Sequence, residues 1–205
     1  MSEKVLFTSY KCEKNDEYIQ TILNQWSLLN PLYKVLYFSD RDVEIFFKET
    51  KYYNTYKLMR NGVAIADFFR ICYINKYGGY WFDIVLEPIK IDIPNYGDIH
   101  LFDAGYKNIS YMFIGGKPNQ VLFEDVIKQV NKNILDNVKI KTQHVLDITG
   151  PRVIQNLICN ELQIKNIDGC LNGDNIPKTY LQNTKYEFVY KKLNFNTTKT
   201  LIYNL

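Results

Sequence analysis

Apolar and polar positions switch between two spacings along the first ninety residues, and each switch marks a boundary. Val5-Leu6-Phe7 is a short apolar run that predicts a buried strand. From Asp16 to Leu29 apolar residues fall at 19, 22, 23, 26 and 29, which is helical spacing, and Asn30-Pro31 ends the pattern. Tyr33 to Phe38 predicts a second strand, closed by Ser39-Asp40, and Asp42 to Lys48 a second helix with Ser39 or Asp40 near its N-cap. Val63 to Tyr77 is the strongest helix. Ile65, Phe69, Cys72 and Lys76 share one stripe, with Phe68 and Ile71 beside it. Gly78 stands where a left-handed C-cap is expected. Tyr80 to Leu86 then predicts a strand that Pro88 ends.

Beyond residue 90 the signals weaken. Asp98 to Asp103 and Tyr111 to Ile114 predict strands, and Gly115 to Asn119 a loop. Val121 to Ile134 predicts a helix, and Thr142 to Asn160 contains another, interrupted by Gly150-Pro151. The last forty residues carry little pattern. Strands alternating with helices predict an α/β fold with a Rossmann-like sheet, and no repeat or linker divides the 205 residues, so one domain (1–205) is expected. No G-x-G-x-x-G follows the first strand and no Walker A sequence occurs, which removes two common phosphate-cradling devices.

Composition narrows the picture modestly. A net charge of +3 with scattered basic residues gives no footprint for nucleic acid. Cys12, Cys72, Cys159 and Cys170 form no C-x-x-C pair, so free thiols fit better than a disulfide framework or a zinc site. The N-terminal residues lack the apolar core of a signal peptide, and no run is long and apolar enough to cross a membrane. A cytoplasmic protein is expected. Asn108-Ile-Ser110 and Asn196-Thr-Thr198 match the glycosylation sequon, which carries weight only in a secreted chain.

The candidate chemistry sits in Ala66-Asp67-Phe68-Phe69-Arg70 and Lys76-Tyr77-Gly78-Gly79-Tyr80-Trp81-Phe82-Asp83. Asp67 and Arg70 are three apart on a helix and therefore neighbours. An ion pair on a solvated face is one reading. Apolar neighbours on both sides argue instead for burial, and buried charge needs a partner or a ligand. Asp83 lies near the carboxyl end of the next strand, where it is either a turn aspartate or part of a site. In α/β sheets that end of the strands is where ligands bind, so Asp67, Arg70 and Asp83 are expected to converge there.

These pieces resemble the sugar-binding region of glycosyltransferases that carry a D-x-D motif, a family that includes yeast initiating mannosyltransferases and capsular polysaccharide synthesis proteins. The resemblance rests on Asn30-Pro31-Leu32-Tyr33, Asp67 to Arg70, Lys76 to Gly79, Asp83 and Ile148-Thr149-Gly150-Pro151, and spans roughly residues 20 to 155. It implies a GT-A fold with a donor part over about 1–90 and an acceptor part over about 91–205. It implies that a UDP- or GDP-sugar is bound by Thr8, Ser9, Tyr10, Asp67, Arg70, Trp81 and Asp83. Arg70 and Asp83 would be the catalytic pair, with Trp81 or its neighbours lining the nucleoside pocket and Tyr10 stacking on the base. A hexose or deoxyhexose would pass to a glycan acceptor entering near Ser110, His144 and Asp147.

The chain departs from that pattern at Val85, where the second acid of D-x-D is expected. Glu87 has the same strand parity as Asp83 but lies ~13 Å along an extended strand, too far to replace it unless the backbone kinks. A weakly held Mn²⁺ or Mg²⁺ on Asp83 is therefore expected. Asp103, Asp147 and Asp174 are further candidates for a base or late metal ligand. Two other functions fit less of the sequence. One is a non-catalytic nucleotide-sugar binding module, suggested by Val85. The other is a nucleotidyltransferase, which ordinarily has a glycine-rich loop where this chain has Thr8-Ser9-Tyr10-Lys11-Cys12.

Overall fold

In the computed structural model the described residues are 4–11, 16–91, 93, 99–103, 109–140, 145–163 and 189–192. They form a six-stranded mixed sheet flanked by helices, the α/β arrangement expected. The strands are β1 (Val5–Tyr10), β2 (Lys34–Ser39), β3 (Gly79–Phe82), β4 (His100–Asp103), β5 (Ile109–Gly116) and β6 (Val189–Lys192). Their order is β2-β1-β3-β5-β4-β6. The first three run parallel, β5 is antiparallel to β3 and β4, and β6 is parallel to β4. The helices are α1 (Glu17–Leu29), α2 (Asp40–Lys48), α3 (Tyr53–Leu58), α4 (Gly62–Tyr77), α5 (Val121–Ile140), α6 (Val145–Ile148) and α7 (Pro151–Glu161). None of them is long and apolar enough to cross a membrane.

Strand periodicity explains the two layers of core. Phe7 and Trp81 point to one face, against Phe46, Phe68 and Phe69 of α2 and α4. Leu6, Tyr80 and Phe82 point to the other, where Trp26 of α1 stacks on Phe82 at 4.3 Å between centroids. Each fully buried ring contributes roughly 1.5–3 kcal/mol. That holds α4 against the sheet and fixes which residues its first turns present to the carboxyl ends of the strands.

Several boundaries differ from the sequence expectation. Ser39 caps α2 by accepting from Asp42 N, and the Asp42 carboxylate accepts in return from Ser39 N, so the helix begins at Asp40. α3 went unforeseen. It has no side-chain cap and is held by packing, with Tyr56 stacked on Phe47 at 4.9 Å. β3 stops at Phe82 rather than Leu86, because Leu86 N donates to Asp83 O and closes a turn over Ile84-Val85. The extended path assumed in placing Glu87 is thereby lost. Gly115 and Gly116, expected in a loop, extend β5 and pair with Tyr80 and Gly79. A Cβ on Gly115 would overlap the Tyr80 ring, so glycine there lets Tyr80 lie across the strand. Gly78 ends α4 with a positive φ of +74 that favours glycine, but its ψ of −176 lies outside the left-handed helical conformation expected of the C-cap.

Cys72 and Cys159 are buried free thiols. Cys12, Cys170, Asn108, Asn196, His144 and Asp174 lie outside the described residues, as does the side chain of Asp103.

A buried acid–guanidinium cluster at the candidate active site

α4 runs so that its first half meets the carboxyl ends of the parallel strands. Asp67 and Arg70 sit on that half with only 4% and 5% of their surface exposed. Asp83 follows β3 directly, and Asp83 N donates to Met112 O, which pins the residue beside β5. The three side chains meet as expected. Arg70 Nη2 lies 3.3 Å from Asp67 Oδ1, and Arg70 Nη1 lies 3.1 Å from Asp83 Oδ1. Nη1 also donates to the Tyr111 carbonyl, and Nε to Ala66 O at 3.1 Å. Nη2 has its ion pair with Asp67 and donates no hydrogen bond among the described residues. The Trp81 ring lies beneath the guanidinium, 4.3 Å from its centre, while Trp81 Nε1 donates to Asp83 Oδ1 at 2.7 Å.

Thr149 completes the cluster. Its hydroxyl donates toward Asp67 Oδ2 or Val145 O, each at 3.3 Å. Gly150, the N-cap of α7, gives a Cβ no room against the Leu146 backbone and so lets the turn close tightly. The Asp67 carboxyl is raised to about 6, chiefly by burial and less by the Asp83 charge, against the lowering pull of Arg70 and the Thr149 hydrogen bond. Burial also pushes the Tyr111 phenol far above its ordinary value.

A cavity of about 410 Å³ opens over this cluster, lined by Asp67, Arg70, Asp83 and Ser110 together with Val63 and Met112. That volume suits a small ligand. Other expected site residues lie elsewhere. Thr8 is fully buried on β1 with its hydroxyl unpartnered among the described residues, and Ser9 and Tyr10 continue the strand beside Phe38 and Ser39; none of the three lines the cavity. Trp81 is buried and supports Arg70 rather than facing the opening. Asp147, on α6, pairs with Arg152 at 3.2 Å outside the cavity wall. Thr149 and the Tyr111 carbonyl were not foreseen as site groups. The Thr149-Gly150-Pro151 element was visible in sequence, but its contact with Asp67 depends on how α4, α5 and α6 pack.

Among the described residues no group of three His, Cys, Asp or Glu side chains could hold a metal ion. Asp83 Oδ1 is engaged by Arg70 and Trp81, leaving Oδ2 as its one unengaged oxygen among those residues. Val85 stands in the turn, 67% exposed. Among the described residues, Asp83 Oδ2 is the oxygen that could contribute to holding a divalent cation, and the protein builds no cage for one.

Residues 16–95 match the family model described as a glycosyltransferase sugar-binding region containing a DXD motif. No curated protein matches the chain. Among solved structures the chain is similar to the PaToxG glycosyltransferase, at 13% identity over 78% of this chain and 69% of that one, with a TM-score of 0.57. That likeness is one of fold. The matched segment is under half of the chain and holds α4, β3 and Asp83.

Proposed function

We propose that the chain transfers a hexose or deoxyhexose from a nucleoside-diphosphate sugar to a saccharide acceptor at the cavity over Asp67, Arg70 and Asp83. The observation that carries this reading is the convergence of those three side chains on one opening. Asp67 holds its oxygens toward Arg70 and Thr149 and has lone pairs left for sugar hydroxyls. Arg70 is fixed by its acceptors and by the Trp81 ring, so it offers Nη2 to a ligand without losing side-chain freedom on binding. In the reaction the bond from the sugar's anomeric carbon to the diphosphate breaks. A bond to the acceptor oxygen forms, the broken bond's electron pair leaves with the diphosphate, and the acceptor's proton passes to a diphosphate oxygen or to water.

Charge balance argues for a divalent cation. With both acids ionised the trio carries a net −1, and a diphosphate adds more negative charge. Mn²⁺ or Mg²⁺ would be held by Asp83 Oδ2 and the donor's phosphates, where it would offset the charge on the leaving diphosphate. The test is release of free sugar from a panel of sugar nucleotides. Turnover that Asp83→Ala reduces supports the reading; no turnover with any donor and acceptor sinks it.

A second reading is favoured by the exposed Val85. A nucleotide-sugar binding module that lost its second acid would bind donor without transferring it. Calorimetry showing tight binding with no hydrolysis, and activity gained in Val85→Asp, would select it.

A further inference from the structure

A second cavity, about 450 Å³, lies between the α3–α4 connection and helices α5 and α6. Its floor is apolar, formed by the buried Ala64, Ile134 and Ile148. Its rim is cationic. Among the described residues Lys57 and Arg60 line it, no acidic side chain does, and neither cation has an acidic partner, while Lys57 Nζ also lies 5.0 Å from the Tyr53 ring centroid. Asn61 lines the cavity as well. Its Oδ1 caps α4 by accepting from Val63 N at 2.8 Å, which leaves its amide N–H groups for a ligand. The cavity backs onto the donor site. Thr149 lines it, and the Thr149 hydroxyl reaches Asp67 on the other side.

This lining suits neither a bare sugar nor a bare phosphate. Among the described residues it offers no aromatic platform for a sugar face and no carboxylate for sugar hydroxyls, while the apolar floor gives a small hydrophilic anion nothing to bury. We propose that the second cavity binds an amphiphilic anion, an apolar chain ending in phosphate or carboxylate, and thereby anchors the acceptor next to the donor sugar. The chain packs on Ala64, Ile134 and Ile148, and the anion meets Lys57, Arg60 and the Asn61 amide. The acceptor role rests on the glycosyltransferase reading above; the binding does not.

The test is calorimetric titration of the full chain, without donor, using octyl phosphate, inorganic phosphate and octyl glucoside. A flotation assay compares phosphatidylcholine vesicles with and without phosphatidic acid. Octyl phosphate is expected to bind at least about tenfold more tightly than either control. Lys57→Gln with Arg60→Gln should weaken it by about tenfold or more. Ala64→Leu, which fills the floor, should abolish it with the circular dichroism spectrum unchanged. A preference for phosphatidic acid vesicles that the double variant removes assigns the anion to a lipid headgroup; octyl phosphate binding without that preference assigns it to a soluble amphiphile. The proposal is overturned if octyl phosphate binds no better than the controls and the vesicles show no preference. Binding that neither variant disturbs overturns it equally. Because no donor is present, failure here leaves the donor-site reading standing, and failure to turn over any sugar nucleotide leaves this result standing.

Discussion

The Thr149 hydroxyl lies 3.3 Å from Asp67 Oδ2, joining residues 82 apart in the chain at one buried carboxylate. The contact brings the turn before α7 to the helix that holds Arg70. It also helps keep Asp67 ionised. Thr149→Val preserves shape and removes the hydroxyl. It should weaken donor binding several-fold, at a cost of about 1 kcal/mol. It should also move the pH midpoint of donor binding upward, and Thr149→Ser should restore both. Donor titrations across pH check this, since a purely structural role would not move the midpoint.

Asp67 gives the fold and the site opposite pH dependences. Its folded pKa of about 6 lies above the ordinary 3.8. A carboxyl raised in this way favours the fold in its protonated form. That contribution is complete below about 3.8 and is lost as pH rises through about 6. Donor binding needs the ionised form, which pairs with Arg70 and accepts from sugar hydroxyls, so affinity should rise through the same window. Asp67→Asn should flatten the stability change between those two values and abolish the rise in affinity. Urea midpoints and donor dissociation constants over a pH series separate the two effects.

Arg70→Lys should be far from conservative. A lysine keeps the charge but cannot reach Ala66 O, Asp67, Asp83 and the Tyr111 carbonyl together, or stack flat on Trp81. With the buried Asp67 left poorly paired, stability should fall by about 3 kcal/mol. Activity per folded molecule should fall at least ~100-fold, about 2.7 kcal/mol of lost transition-state stabilisation. Equilibrium denaturation alongside steady-state kinetics measures both.

Gly115→Ala tests the sheet beside the site. The added methyl would overlap the Tyr80 ring and crowd the Gly79 carbonyl. Relief requires Tyr80 to leave its place against His100 and Phe113, or β5 to shift from β3. Destabilisation of about 1–3 kcal/mol is expected from chemical denaturation, while Gly62→Ala, with nothing near its Cβ, should cost no stability.

Local signals in the sequence located most of the elements, and distant contacts explain the misses. The 3.6-residue spacing and Gly78 located α4, and the apolar residues around Asp67 and Arg70 correctly pointed to burial. α3 was illegible because six residues with three polar side chains and no cap form a helix only when Tyr56 has Phe47 to stack on. The end of β3 was misplaced because Tyr80 to Leu86 reads as one apolar run, and the turn at Ile84-Val85 has neither glycine nor proline to announce it. Asn30 reads as a helix stop, yet its side chain also donates to Ile89 O and accepts from Ile91 N, tying α1 to the segment after Pro88. The convergence of Asp67, Arg70 and Asp83 followed from strand-end logic. The Thr149 and Tyr111 partners did not, because they depend on how α4, α5 and β5 pack.

Calorimetric titration of the wild-type chain and Asp83→Asn with UDP-, GDP- and CDP-sugars, each with and without Mn²⁺, tests the donor site most directly. Asp83 is 26% exposed on its side chain, so the variant should fold. Saturable binding of at least one donor, strengthened by Mn²⁺ and weakened at least about tenfold in Asp83→Asn, is the predicted result. Equal binding by the two proteins, or no binding of any sugar nucleotide by the wild type, would contradict it.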